Sequence, residues 1–251
     1  MGCKGSQTFL ASLLSGRRHL PSGRIWTVYL ASFSVLASCG GTPAAAVPSP
    51  SPPTYNFAGI STHLHADTVQ GIRATISWSI APRTGAQSAQ STWIGIFGAA
   101  DPTTHLSLQI AQIGWKELPP KPPRLFWEWG TDRDHVSILY GQTIQPNDHL
   151  DVELDRAADG TFTFFVNGDL VRTELLNWHP SFIAAAAETH DPTDVLAGSE
   201  LAPELISPLD WKLNGKWQAI VVPTFSTYSQ YHATGDSSGN LNVWDARQGK
   251  P

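Results

Sequence analysis

Apolar and polar residues alternate along most of the chain beyond residue 54. At Ala74, Ile76, Trp78 and Ile80, for example, apolar residues are separated by single threonine or serine residues. A period of two is typical of a β-strand with one buried face. Runs of this kind predict ten strands, at residues 57–64, 74–80, 92–97, 106–115, 124–129, 149–154, 161–166, 170–176, 217–225 and 240–244.

Turn-forming dipeptides separate several of these runs. Asp159-Gly160, Asn167-Gly168, Asn214-Gly215 and the segment 238–240 combine residues that tolerate positive φ, as tight hairpins require. No internal repeat is evident. Many short strands joined by hairpins predict an all-β fold, an antiparallel β-sandwich of the concanavalin-like jelly-roll kind.

Residues 184–187 are four consecutive alanines before Glu188, and alanine is the best helix former. Four residues are too few to nucleate a helix alone, and neighbouring strands can impose an extended conformation. We therefore predict a strand here.

The first 38 residues carry four basic residues and no acidic residue, and they become mostly apolar from residue 25 to residue 36. This order is typical of a secretory signal peptide. The tetrapeptide 36–39, LASC, resembles the bacterial lipobox, in which Cys39 becomes lipidated after cleavage. Two alternatives are an ordinary signal peptide with an incidental cysteine and myristoylation at Gly2. The predicted organisation is a lipoprotein signal at 1–38, a Pro/Ala/Ser-rich tether at 39–54 and one domain at 55–251.

Removal of residues 1–38 leaves 12 basic and 21 acidic residues, a formal charge of −9. An acidic domain is a poor binder of nucleic acid. The two cysteines, Cys3 and Cys39, both precede the domain, so we expect neither a disulfide nor a cysteine zinc site within it. The expected protein is a monomer, exported and held at the cell envelope by its lipid.

Three motifs suggest chemistry that their surroundings do not favour. Residues 235–239 match G-x-S-x-G, but no histidine follows and a strand is predicted next, so a hairpin loop is expected. His63 and His65 share a strand face without an evident third metal ligand. Residues 153–155, ELD, begin the E-x-D-x-x-E pattern of the concanavalin-like glucanases, but Ala158 occupies the place of the second glutamate.

Two other polar residues lie within apolar strands. Gln112 follows Leu106, Leu108 and Ile110 on one predicted strand face, so its amide either joins a structural network or faces a ligand. Glu128 lies between Trp127 and Trp129, which point to the opposite face. It is either a rim carboxylate beside two core tryptophans or an acid whose pKa is raised by desolvation.

Together these motifs resemble those of the glutamic peptidases, or eqolisins, lectin-like β-sandwiches active at acid pH. In matching order, the similar segments are 55–59 (YNFAG, for N-W-x-G), 93–98 (WIGIFG, for W-V-G-I-D-G), 110–114 (IAQIG, for I-L-Q-T-G), 126–129 (FWEW, for W-Y-E-W), 144–152 (for I-x-x-G-D-x-I-x-V) and 184–188 (AAAAE, for A-E-W-I-V-E). Phe97 and Lys116 replace two acids of the family, and an alanine run replaces its aromatic segment before Glu188.

The resemblance implies an acid endopeptidase with Gln112 and Glu188 as the catalytic pair. Glu188 would activate a water molecule and Gln112 would donate to the oxyanion. Trp93, Glu128, Trp127, Trp129 and Trp115 would line the substrate cleft. A polypeptide is then the substrate, and no metal or cofactor is required.

A different class of function remains open at this point. The same sandwich could be a non-catalytic module that stacks carbohydrate or peptide on Trp115, Trp127 and Trp129. The two interpretations differ in whether Gln112 and Glu188 face one cleft.

Overall fold

The computed structural model describes residues 56–63, 68–78, 89–98, 109–130, 136–145, 147–190 and 193–248. The predicted signal, Cys39 and the tether lie outside these residues. The described part of the chain forms sixteen strands: β1 (Asn56–His63), β2 (Val69–Ser77), β3 (Gln90–Gly98), β4 (Gln109–Glu117), β5 (Arg124–Gly130), β6 (Val136–Thr143), β7 (His149–Arg156), β8 (Thr161–Val166), β9 (Asp169–Leu175), β10 (Pro180–Thr189), β11 (Glu204–Ile206), β12 (Asp210–Leu213), β13 (Lys216–Ala219), β14 (Thr224–Ser226), β15 (Tyr231–Gly235) and β16 (Leu241–Asp245).

The strands form two antiparallel sheets that pack face to face. The first sheet has the order β14-β1-β10-β3-β4-β5-β6, and the second follows β15-β16-β11-β2-β7-β8-β9, with the β12–β13 hairpin attached to β2. Three of the six neighbouring pairs in the first sheet, β14-β1, β1-β10 and β10-β3, join strands that are distant in sequence, so this half of the sheet depends on long-range pairing. The predicted all-β antiparallel sandwich is confirmed.

The two faces of the first sheet serve different purposes. On one face, residues such as Ile94, Ile113 and Trp115 join Leu154 and Phe164 of the second sheet in the main core. The alternate residues form a separate aromatic cluster contributed by the first sheet alone: Phe57, Trp93, Phe97, Phe126, Phe182, Ala184 and Ala186. Because side chains alternate along a strand, this cluster lies on the face turned away from the second sheet, which we call the outer face.

Most predicted strands are present, and the differences have identifiable causes. The run 217–225 is divided into β13 and β14, since Pro223 cannot donate to a ladder and Val221 is 61% exposed. The edge strand β6 was missed because its residues are half-buried or exposed and show no alternation. The short strands β11, β12 and β15 were missed as well.

The alanine run lies in the middle of β10, as predicted. The strand pairs with β1 on one side and with β3 on the other, and residues 183–187 are all buried. Two ladders of backbone hydrogen bonds and burial on both faces outweigh the helical preference of alanine.

The predicted hairpins are also present. Asn167 and Gly168 have φ of 51° and 83° between β8 and β9, and Asn214 and Gly215 have φ of 50° and 74° between β12 and β13. Both central residues of each turn are therefore left-handed, as a type I′ hairpin requires.

Within the described ranges, no helix is long and apolar enough to cross a membrane.

We predict that Gly114→Ala destabilises the domain by roughly 3 kcal/mol, the upper end of the cost of overpacking. A Cβ at Gly114 would lie 2.0 Å from the backbone carbonyl oxygen of Thr92 on β3, and neither strand can move without disturbing its ladder. The measurement is urea unfolding of the full chain. Gly235→Ala is the control, because its Cβ would meet nothing closer than 3.7 Å, and we expect a change within about 0.5 kcal/mol. Equal stability of the two variants would contradict this interpretation of the close strand packing.

Candidate active site

Gln112 and Glu128 lie directly opposite each other on β4 and β5. Residues opposite one another on antiparallel strands share a face, and here it is the outer face of the first sheet. On the other side of Gln112, β3 presents Gly95 and β10 presents Ala184. Two of the three strands around Gln112 thus contribute almost no side chain.

A hydrogen bond joins these two polar residues. The Nε2 of Gln112 donates to Oε2 of Glu128 over 2.7 Å, and the exposed fractions of the residues are 6% and 9%. A carboxylate only accepts hydrogen bonds, so an ionised Glu128 must face the NH₂ group of the amide. One N–H of Nε2 is used by Glu128, and Nε2 carries a second.

Glu188 lies near the end of β10, opposite Phe57 on β1 and Ser91 on β3. Trp93 Nε1 donates to its Oε2 over 2.7 Å, and His190 Nε2 lies 3.1 Å from its Oε1. The carboxylate is buried, with 6% of the residue exposed. Because an indole N–H only donates, Oε2 accepts from Trp93, whereas the roles in the Oε1 contact depend on the tautomer of His190.

Trp93 connects the two pairs. It lies on β3 between Ser91, which is opposite Glu188, and Gly95, which is opposite Gln112. All of these positions share the outer face. The structure therefore brings Gln112, Glu128, Trp93 and Glu188 to one side of one sheet.

The charges on this face act on one another. Burial raises the pKa of Glu128, and the negative charge of Glu188 raises it further. The ammonium of Lys116, the hydrogen bond from Gln112 and the imidazole of His190 lower the pKa of Glu128 in the opposite sense. Of the groups that lower the pKa of Glu128, Lys116 has the largest effect. Two buried carboxylates with two nearby basic side chains form an arrangement suited to moving a proton.

No protein-family model matches this sequence, and no curated protein matches it. Several solved structures, in contrast, match the fold of this chain. Scytalido-glutamic peptidase with a peptide-based transition-state analogue superposes with a TM-score of 0.55 at 14% identity, covering 78% of this chain and 100% of that one. SCP-B, described as a member of the eqolisin family of peptidases in complex with the tripeptide Ala-Ile-His, gives 0.54 at 13% identity over the same shares. The chain has the fold of the glutamic peptidases. At these identities the similarity establishes the shared fold alone.

Three of the predicted cleft residues lie elsewhere. Trp115, Trp127 and Trp129 belong to the main core between the sheets, with exposed fractions of 1%, 9% and 9%. Trp115 Nε1 donates to the buried carboxylate of Glu204 on the second sheet over 2.6 Å, and the Trp129 ring lies 6.1 Å from that of Phe164.

The expectation that these three tryptophans line a substrate cleft does not hold, because strand alternation turns them away from Gln112 and Glu128. For the same reason they do not provide the stacking surface that a carbohydrate-binding module requires. The alternative view of Trp127 and Trp129 as core tryptophans beside a polar residue agrees with their positions.

The other motifs form ordinary structure. Residues 235–239 end β15 and begin the loop to β16, where Asp236 Oδ1 accepts from the backbone N–H of Ser238 and Asn240. The ring of His63 packs against Phe182, whereas His65 lies outside the described residues. In the described part of the chain, no group of three or more His, Cys, Asp or Glu side chains is arranged to hold a metal ion.

Glu153 and Asp155 lie on the second sheet and face away from the core. Asp155 pairs with Lys212 at 2.8 Å, and burial together with the charge of Asp155 raises the pKa of Glu153. These residues are far from the Gln112 pair in the fold, because they are on the opposite sheet.

Sequence reasoning missed His190. It follows Glu188 by two residues, and the period-two rule could have placed it on the same face.

Phe97 stands where the resemblance to the glutamic peptidases places an acid. Its ring stacks on Phe182 with centroids 4.8 Å apart and lies over Gly95, so the surface next to Gln112 is aromatic.

We predict that Glu128→Gln raises the unfolding temperature at pH 7 and that this gain shrinks as the pH falls towards 4. Burial raises the pKa of Glu128 in the folded state, so the fold binds a proton here more tightly than the unfolded chain does. Wild-type stability therefore falls as the pH rises through the folded-state pKa, whereas a neutral glutamine avoids this loss. The measurement is thermal unfolding of the full chain across this pH range.

The control is Glu200→Gln at an exposed position, for which we expect little change at either pH. A Glu128→Gln variant that is less stable than wild type at pH 7 would show that the ionised carboxylate is a net stabilising group.

Proposed function

We propose that this protein is an acid endopeptidase that hydrolyses peptide bonds with Gln112 and Glu188. The observation that carries the proposal is that both residues lie buried on one face of a sandwich with the glutamic-peptidase fold, each held by a specific hydrogen-bond partner. The two similar solved structures contain a peptide-based transition-state analogue and the tripeptide Ala-Ile-His, and both are ligands of those proteins. A polypeptide substrate is our inference for this chain.

In the proposed reaction, ionised Glu188 takes a proton from a water molecule while the water oxygen attacks the scissile carbonyl carbon. Trp93 donates to Oε2, so in this proposal Oε1 receives the proton, with His190 Nε2 beside it in the tautomer that accepts. Collapse of the tetrahedral intermediate breaks the C–N bond, and the proton passes from Oε1 to the leaving amine. The net change is addition of one water molecule across the peptide bond.

Gln112 stabilises the negative charge that develops on the carbonyl oxygen. Glu128 accepts one N–H of Nε2, which leaves the second N–H for the oxyanion. Glu128 therefore acts by orienting Gln112, and no metal or cofactor enters the reaction as proposed. A preoriented donor of this kind contributes on the order of 3 kcal/mol to transition-state stabilisation.

The location of the activity is part of the proposal. A signal at residues 1–38 and lipidation of Cys39 would export the domain and anchor it to the cell envelope, with residues 39–54 as a tether. A substrate that reaches such a domain is an exported or extracellular polypeptide, including unfolded protein in acidic surroundings.

We expect the full chain to cleave an unfolded protein substrate between about pH 2 and 7, and we expect Glu188→Gln to lower kcat by about 100-fold or more. Gln112→Ala should lose a similar factor, because its N–H contact forms mainly in the transition state. Initial rates across the pH range, measured on variants that unfold at the wild-type temperature, test this.

Glu153→Gln is the matched control, a glutamate on the second sheet that should leave the rate unchanged. Cleavage retained by Glu188→Gln would mean that the wrong carboxylate has been assigned, with Glu128 next to be tested. Absence of cleavage by a folded wild-type chain would reject the peptidase proposal.

A further inference from the structure

Lys116 lies on the same strand and the same face as Gln112. The two are four residues apart on β4, and Lys116 is opposite Ser91 on β3 and Arg124 on β5. Its ammonium lies 5.6 Å from the ring centroid of Phe126, which is fully buried and is two residues from Glu128. The side chain thus extends over β5 on the outer face, towards the strand that carries Glu128.

We propose that Lys116 is a positioning residue of the site: its ammonium keeps Glu128 charged, and charged Glu128 keeps the NH₂ group of Gln112 correctly oriented. This proposal rests on the proposed function, because it assigns Lys116 a role in orienting the oxyanion donor. It also predicts that Lys116 extends the working range of the site towards lower pH.

The orientation of Gln112 depends on the charge of Glu128. An ionised carboxylate accepts from Nε2 and excludes the carbonyl oxygen of the amide, so one orientation is strongly preferred. A protonated Glu128 carries an O–H that can donate to Oε1 of Gln112, so the reversed amide becomes acceptable as well. A reversed Gln112 presents a carbonyl oxygen to the oxyanion and repels it.

Other charged groups on this face do not replace Lys116. The negative charge of Glu188 raises the pKa of Glu128. His190 lowers that pKa, but less than Lys116 does. Arg124 is directed at β6, where it donates to the carbonyl oxygen of Gly141 and stacks over Tyr140.

Tyr140 is also affected by Glu128, since burial and the negative charge of that carboxylate raise the pKa of the phenol. It therefore stays neutral where Glu128 titrates, and a phenol carries no positive charge in either protonation state. Among the charged groups on this face, Lys116 lowers the pKa of Glu128 the most.

The test is a double-mutant cycle on the full chain with Lys116→Gln, Lys116→Arg and Glu128→Gln, measured by thermal unfolding at pH 7 and pH 4. Removal of Lys116 leaves the buried charge of Glu128 without its main partner. We therefore expect Lys116→Gln to lower the unfolding temperature at pH 7, and we expect this loss to disappear at acid pH and in the Glu128→Gln background. Lys116→Arg, which keeps the charge, should restore the wild-type behaviour.

A second measurement follows the acid limb of the pH–rate profile, which is the fall of the peptide-cleavage rate as the pH is lowered. At a pH where the wild type has lost half its maximal rate, Lys116→Gln should lose a further factor on the order of three or more, and Lys116→Arg should recover most of it. A merely structural lysine would not move the acid limb while leaving the maximal rate in place.

The two measurements separate the possible failures. If unfolding shows no coupling between Lys116 and Glu128, the proposal is overturned, whatever the cleavage rates are. If coupling is present and the acid limb shifts, the proposal holds. If coupling is present and the wild type cleaves but the acid limb does not shift, the orienting role is overturned. If the wild type does not cleave at all, the proposed function fails, and with it the role of Lys116 in catalysis, while the measured coupling remains.

Discussion

A carboxylate that is removed from water must be neutralised, hydrogen-bonded or paired with a cation, and this requirement organises the outer face of the first sheet. Glu128 and Glu188 are both buried there. Glu128 is met by the amide of Gln112, and Glu188 is met by the indole of Trp93 and the imidazole of His190. Gln112, Glu128 and Glu188 are therefore each a partner in a hydrogen bond between buried side chains.

The same contacts restrict what the site can do chemically. Trp93 commits one oxygen of Glu188 to accepting, and Glu128 commits one N–H of Gln112 to donating. The other oxygen of Glu188 contacts His190, and the second N–H of Gln112 is the group that the proposed reaction uses for the oxyanion. Polar groups that are preoriented in this way cost little reorganisation when charge develops on a substrate, which is the usual source of electrostatic catalysis.

Strand alternation explains why a single stretch of sequence supplies both the core and the site. On β5, Trp127 and Trp129 enter the core, whereas Phe126 and Glu128 lie on the outer face. The alanine run of β10 divides in the same way, with Ala184 and Ala186 beside the site and Ala185 and Ala187 beneath it. A register shift of one residue would exchange the two sets, so core packing and site assembly are specified together.

The sequence by itself determined the all-β class, most strands, the tight hairpins and the presence of Gln112 and Glu128 as polar residues within apolar strands. These features depend on period-two patterning and on turn residues, which are local. Only the tertiary structure decided that Gln112 pairs with Glu128, that Glu188 is held by Trp93 and His190, and that Trp115 bonds Glu204 within the core. These contacts join strands up to 95 residues apart, and their register follows from the packing of two sheets, which no local pattern specifies.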